Sequence, residues 1–214
     1  MKSILLAMLI ALTTACASST TPPDSTPETS PETTPEVVTP EITPDPPAED
    51  SSYVVTHTGV MVINQDQEIH FELYGETAPI SVENFVSLAN SGFYEGIIFH
   101  RVIENFMIQG GDPTGTGMGG ADNTIKGEFI ANGVENPIQH TRGVLSMARS
   151  QSMDSASSQF FIMHADYPSL DGSYAAFGMV TSGMEVVDAI ATTETKSDKP
   201  INDVVITSVT VVEV

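Results

Sequence analysis

Positive charge is what this sequence has least of. Its 214 residues carry seven Lys and Arg against 28 Asp and Glu, a formal net charge of −21 at pH 7. Residues 51–214 alone hold 20 of the acids and six of the bases, so the imbalance is not confined to one end. A nucleic-acid partner needs clustered cations to meet its phosphates, and that class is excluded. There is one cysteine, Cys16, which rules out an intramolecular disulfide and a Cys cluster for zinc. The five histidines, His57, His70, His100, His140 and His164, show no metal-ligand spacing. Tryptophan is absent, and no G-x-S-x-G is present to suggest a serine hydrolase. The apolar run Ile4 to Leu12 falls far short of the roughly 20 residues a membrane-spanning helix needs.

What is there divides the chain in three. Lys2, the apolar run and the small residues Thr13-Thr14-Ala15 describe an export signal over residues 1–15. Leu12-Thr13-Thr14-Ala15-Cys16 resembles a bacterial lipoprotein cleavage site, with Thr13 where Leu is usual. Cleavage there would leave Cys16 as an acylated N-terminus, anchored by two or more chains. Residues 17–50 hold nine Pro, eight Thr and eight Asp or Glu, with no Lys or Arg. Such a segment cannot bury enough apolar surface to offset its ordering entropy, so residues 16–50 read as a lipidated Cys and a disordered, semi-extended tether. The reading is an exported lipoprotein held on the extracytoplasmic side of a membrane.

Residues 51–214 must hold the core, and their number suffices for one well-buried domain. Gly59–Ile63 and Glu68–Tyr74 flank a turn and predict a hairpin in which Ile69, Phe71 and Leu73 share a face. Val82, Phe85, Val86 and Ala89 have helical spacing over Ser81–Asn90, with Ser81 as cap. Short β-rich runs follow at Ile97–Ile103, Phe106–Gln109, Gly143–Met147, Gln159–Met163 and Ala175–Val180. Ser182-Gly183-Met184-Glu185 has the form of a capping box before a second helix, and Val204–Val214 reads as a last strand. Seven or eight strands and two helices without βαβ alternation predict a mainly β fold, a closed antiparallel barrel plugged by helices.

The run Phe99-His100-Arg101-Val102-Ile103-Glu104-Asn105-Phe106-Met107-Ile108-Gln109-Gly110-Gly111-Asp112 is the most informative. As two strands around a turn at Glu104-Asn105, it puts Arg101 and Ile103 on one face, and Met107 and Gln109 on one face. A cation, an amide and apolar groups converging on one surface is one reading; a surface Arg beside a core Phe-Met pair is the other. In Ser158-Gln159-Phe160-Phe161-Ile162, Gln159 and Phe161 share a face, and Leu170-Asp171-Gly172 forms a turn before Tyr174-Ala175-Ala176-Phe177-Gly178. Gly115-Thr116-Gly117-Met118-Gly119-Gly120 satisfies G-x-G-x-x-G, but no βαβ unit surrounds it, and it reads as a flexible loop near a groove. His100 reads as structural.

These stretches, with Leu145-Ser146-Met147-Ala148-Arg149, resemble the cyclophilins in order from about Val60 to Val214. The resemblance implies an eight-stranded antiparallel β-barrel capped by two α-helices, and peptidyl-prolyl cis/trans isomerase activity with no cofactor. It implies that Arg101 is the catalytic arginine and that Gln109 orients it. Phe106, Met107, Phe161 and Leu170 correspond to the walls of a proline pocket. Gln159, with backbone groups of Ala148 and Arg149, corresponds to a shelf that holds peptide, and Tyr174 stands where many members carry His. Ser169 occupies the position of a pocket-rim Trp in many members, so weak binding of cyclosporin is expected. The partners implied are proline-containing peptides and folding exported proteins, met by a monomer.

Overall fold

The computed structural model describes residues 53–214; the export signal, Cys16 and the tether lie outside the described residues. One eight-stranded antiparallel sheet carries the domain. In chain order its strands are β1 (His57–Ile63), β2 (Gln67–Leu73), β3 (Arg101–Ile103), β4 (Met107–Gly110), β5 (Val144–Met147), β6 (Phe160–Met163), β7 (Ala176–Ser182) and β10 (Ile206–Glu213). They lie side by side as β10-β1-β2-β7-β5-β6-β4-β3. A small hairpin, β8 (Thr195–Lys196) and β9 (Lys199–Pro200), stands apart, and two helices, α1 (Pro79–Asn90) and α2 (Met184–Ala191), cover the curled sheet.

Alternation builds two apolar layers from one sheet. Ile108, Leu145, Met147, Phe160, Ile162 and Phe177 point into the main core with α1 and α2. Their neighbours Met107, Val144, Phe161, Met163 and Ala176 point the other way, into a smaller cluster with Tyr74 and Ile138. That is why β5 and β6 are buried on both faces, β6 as a continuous apolar run and β5 interrupted only by the buried Ser146. The main core is organised around Phe85 of α1, whose ring meets those of Phe71, Tyr94, Phe160 and Phe177 at centroid distances of 5.2–5.9 Å. The interior is therefore filled, and the outer cluster remains to build a site.

The first hairpin forms as the alternation predicts, with Gly59 opposite Phe71 and left-handed Asn64 and Gln65 in its turn. Three expectations are corrected. The barrel is not closed: no ladder joins β3 to β10. Only an Ile98–Val205 bridge and a few backbone bonds, such as Phe99 N–H to Val204 O at 3.0 Å, cross the gap. The β8–β9 hairpin lies beside β3 instead, where Val102 N–H donates to Asp198 O at 2.7 Å. Ser81 does not cap α1, which begins at Pro79. The buried Glu128 caps it from outside, accepting from Ile80 N–H (3.0 Å), Ser81 N–H (2.7 Å) and Ser81 Oγ–H (2.7 Å). Nor does Ser182 start α2: β7 runs through it, and Gly183, at φ 89°, makes the turn into the helix.

Candidate active site

Strands β3, β4 and β6 present side chains to a cavity of about 150 Å³, and Ala148 and Arg149, just past β5, complete that wall. Its lining is Arg101, Phe106, Met107, Gln109, Ala148, Arg149, Phe161, Leu170 and Tyr174. Register explains the convergence. Arg101 lies opposite Gln109 across β3–β4, and Gln109 lies opposite Phe161 across β4–β6. Of the two readings of the Phe99–Asp112 run, the structure supports convergence on one surface, with Met107 and Phe161 as the floor.

The polar edge is a relay. Arg101 Nη1 donates to Gln109 Oε1 at 3.5 Å, and Gln109 Nε2 donates to Gln159 Oε1 at 2.8 Å. Gln159 Nε2 donates in turn to Gly117 O (3.1 Å) and Gly119 O (2.7 Å). Gln159 thus lies one step behind the cavity, and the glycine loop, read as a decoy for a dinucleotide site, anchors it. The loop is held by the buried Asp112, which accepts from the N–H groups of Thr114 (2.7 Å), Thr116 (3.0 Å), Gly117 (2.6 Å) and Gly119 (3.2 Å). Burial pushes the Asp112 carboxyl up, but the donors from Thr114, Gly119 and Gly117 outweigh it and hold it far below the usual range. Arg101 remains 43% exposed, its guanidinium 5.8 Å from the Phe106 ring centroid. Its ion pair is with Asp198 of the β8–β9 turn at 4.0 Å, a solvated contact worth about 0–1 kcal/mol.

Sequence reasoning missed the cavity's support. His140 Nδ1 meets Asp171 Oδ1 at 3.0 Å and His140 Nε2 meets Ser146 Oγ at 3.0 Å. These are the atoms of a Ser-His-Asp hydrolase triad. Ser146 and His140 are buried, however, and the His140 ring stacks on Phe161 at 6.0 Å, so no substrate reaches the hydroxyl. The trio braces the pocket floor. The spacing of His140, Ser146 and Asp171 carries no local signal, because only Ser146 lies on a strand and the loops holding His140 and Asp171 meet through the tertiary fold. His100 is 6% exposed and its ring nitrogens have no partner; burial lowers its pKa and keeps it neutral. It does not line the cavity. Tyr167, the neighbour of Ser169 that the sequence offers as a substitute rim, packs against Phe106. Ser169, two residues on, lies exposed in the turn that carries Leu170.

Comparison with known proteins agrees with this geometry. The family model described as cyclophilin type peptidyl-prolyl cis-trans isomerase/CLD matches residues 59–211. Peptidyl-prolyl cis-trans isomerase B of Bacillus subtilis is 50% identical over 128 residues, 60% of this chain and 86% of that one. Peptidyl-prolyl cis-trans isomerase-like 1 of Aspergillus fumigatus is 47% identical over 144 residues, 66% of this chain and 88% of that one. A crystal structure of a cyclophilin-type isomerase of Cryptosporidium parvum superposes with a TM-score of 0.67 at 31% identity, covering 74% of this chain and 98% of that one. A second, in the presence of the dipeptide Ala-Pro, gives 0.66 at 33% identity, covering 72% and 98%. The curled sheet, the convergent cavity and a family match over most of the described residues lead to one conclusion: the chain belongs to the cyclophilin-type peptidyl-prolyl cis-trans isomerases.

Proposed function

We propose that the enzyme works by stabilising a twisted X–Pro amide with Arg101 over the cavity of Phe106, Met107, Phe161 and Leu170. Planar amide resonance sets a barrier of about 18–20 kcal/mol, and no bond needs to be made or cut. Only interactions stronger in the twisted state than in either planar form accelerate the step. Twisting returns a lone pair to the proline nitrogen, and Arg101 donates to it; planar substrate has no such acceptor. The cavity of about 150 Å³ is of a size to take a pyrrolidine ring on its apolar floor of Met107 and Phe161, beside the polar edge of Arg101 and Gln109. The ring's burial removes water, which favours the less polar twisted amide. The relay through Gln109 and Gln159 keeps the guanidinium aimed. The observation that carries this reading is the Gln109-held Arg101 at the mouth of that cavity. The test is Arg101→Ala in a protease-coupled assay on a proline tetrapeptide. A loss of roughly 10²–10³-fold is expected, the scale of one preorganised charge-stabilising donor. A near-wild-type rate would remove Arg101 from the mechanism.

The clients, in this proposal, are proline-containing segments of exported proteins, met by a monomer anchored through a lipid on Cys16. The support is the sequence of residues 1–50: an export signal, the chain's one Cys after small residues, and a proline-rich acidic tether. Radiolabelled palmitate is expected to enter the wild type and not Cys16→Ser, which leaves the membrane fraction or remains an uncleaved precursor. Wild type that fractionates as a soluble exported protein overturns the anchor.

A further inference from the structure

A second cavity, of about 420 Å³, adjoins the proline pocket and shares Gln109, Ala148 and Arg149 with it. It bears hydroxyls from Ser150, Ser155 and Ser157, and no Asp or Glu lines it. Its one cation is Arg149. In a region with 20 acids and six bases, a cavity free of carboxylates and holding a cation is a local reversal of sign.

The Arg149 guanidinium is held in place without being neutralised. Nε and Nη2 donate to Ser173 O at 3.0 and 2.9 Å, and Nη1 donates to Ser150 O at 2.9 Å. All of these acceptors are neutral carbonyls. Its Cζ lies 5.0 Å from the Phe129 ring centroid and 4.7 Å from that of Tyr174, two cation–π contacts that hold the guanidinium in place. Among the described residues, Arg149 has no carboxylate partner within ion-pair distance. By contrast, Arg142 is bound by both oxygens of Asp188 and Arg101 faces Asp198. The Ser150 and Ser155 hydroxyls donate within the protein, to Ser155 Oγ and Ser152 O, so the attraction rests on the guanidinium: a fixed cation without a carboxylate partner is complementary to a carboxylate.

Resting on the isomerase reading of the neighbouring pocket, we propose that Arg149 selects for X–Pro substrates with an Asp or Glu side chain within two residues of the proline. An extended peptide advances about 3.3 Å per residue, so a chain with its proline in the first cavity brings a near neighbour into the second. The acidic surface repels such peptides at long range, and the preference must be local to this cavity. Arg149 then acts on specificity through a charge its own fold leaves unmatched, while its backbone remains part of the peptide shelf.

The test is exchange NMR of the full chain with Ala-Pro peptides carrying a single Glu, Gln or Lys two residues before, directly before, or directly after the proline. Each kcat/KM is read against an all-Ala peptide. At the favoured position Glu is expected to exceed Lys by roughly five- to tenfold, with Gln between, the scale of one matched against one repelled charge. Arg149→Gln is expected to bring that ratio within twofold, the Glu and Lys peptides each being compared with the all-Ala peptide on the same variant, so that any general loss of turnover cancels. Should Arg149→Gln fail to fold, Met118→Glu answers the same question, since Met118 lines the cavity with a 91% exposed side chain and the new carboxylate repels the substrate's own. Ratios within twofold at every position in the wild type, or a ratio that survives both substitutions, overturn the proposal. If the all-Ala peptide is not isomerised at all, the isomerase reading fails instead. Chemical-shift titration with the Glu and Lys peptides then still reads the charge preference.

Discussion

The ring of Tyr167 lies against that of Phe106, with centroids 4.5 Å apart and planes tilted by 48°. Phe106 lines the cavity of about 150 Å³, and Tyr167 packs against it from a position two residues before Ser169. Tyr167 is 42% exposed but does not line the cavity, so it backs Phe106 and does not stand where the resemblance expects a rim Trp. Its phenol is not an indole, and its face is spent on Phe106. Cyclosporin is therefore expected to inhibit weakly, by roughly 30- to 1000-fold relative to a Trp-bearing rim, the scale of one aromatic contact and one hydrogen bond. Ser169→Trp is expected to raise inhibitor affinity more than turnover. Nanomolar inhibition of the wild type would show that Tyr167 replaces the rim completely, and Tyr167→Ala would then abolish it.

The relay behind Arg101 predicts a graded series. Gln109 touches Arg101 directly, whereas Gln159 acts one bond further back. Gln109→Leu is expected to lower kcat by roughly tenfold with little change in KM, because the aim of the donor matters chiefly in the twisted state. Gln159→Leu is expected to cost less in kcat and more in KM, since it also frees the carbonyls of Gly117 and Gly119. Equal effects of the two on both parameters would argue against a relay.

Much of this was legible in the sequence because it is written in local periodicity. The alternation of Ile69, Phe71 and Leu73 faces them to the core, and the helical spacing of Val82, Phe85 and Ala89 gives the buried stripe of α1. Two strands and a turn allowed Arg101, Met107 and Gln109 to converge but left a surface Arg as the other reading; the resemblance to cyclophilins, not the alternation, chose between them. What escaped depends on residues distant in sequence. Ser81 looks like a cap because its own window contains no rival; Glu128 enters from 47 residues away. The capping box at Ser182 is defeated by β7, whose pairing carries extended structure through that residue. Closure of the barrel was read from strand number, but β3 has only three residues and the β8–β9 hairpin lies alongside it.

Glu128 is predicted to matter to stability out of proportion to its distance from the cavity. Removing its carboxylate leaves the N–H groups of Ile80 and Ser81 and the hydroxyl of Ser81 without their acceptor, in a buried place. Glu128→Ala is expected to destabilise by about 2–4 kcal/mol, the cost of orphaned buried donors together with a lost helix cap. Glu128→Gln keeps an acceptor oxygen and is expected to lose less. Urea unfolding followed by circular dichroism measures both. A Glu128→Ala loss below about 0.5 kcal/mol, the range of ordinary surface changes, would mean that water serves the helix end equally well.

The last prediction concerns acid. Burial lowers the pKa of His140, against the opposing pull of Asp171, and burial likewise lowers that of His100. Both are neutral in the folded chain at a pH where an unfolded histidine, with a pKa near 6.5, already binds a proton. The unfolded state then holds more protons, so stability is complete above about pH 6.5 and falls as the pH drops below it. The carboxylates of Asp188, held down first by the Arg142 hydrogen bonds, and of Asp112 add a second loss, which begins only as the pH falls toward the ordinary carboxylate range near 4. Unfolding free energy measured from pH 8 to 3 is therefore expected to be flat, then to decline below about 6.5, then to steepen near 4. His140→Asn should reduce the first decline by up to one proton's worth of slope and leave the second in place. It should also loosen the floor under Phe161 and raise KM for proline peptides. An unchanged slope between pH 6.5 and 5 in that variant would show that His140 does not titrate on unfolding, and would assign the first decline to His100.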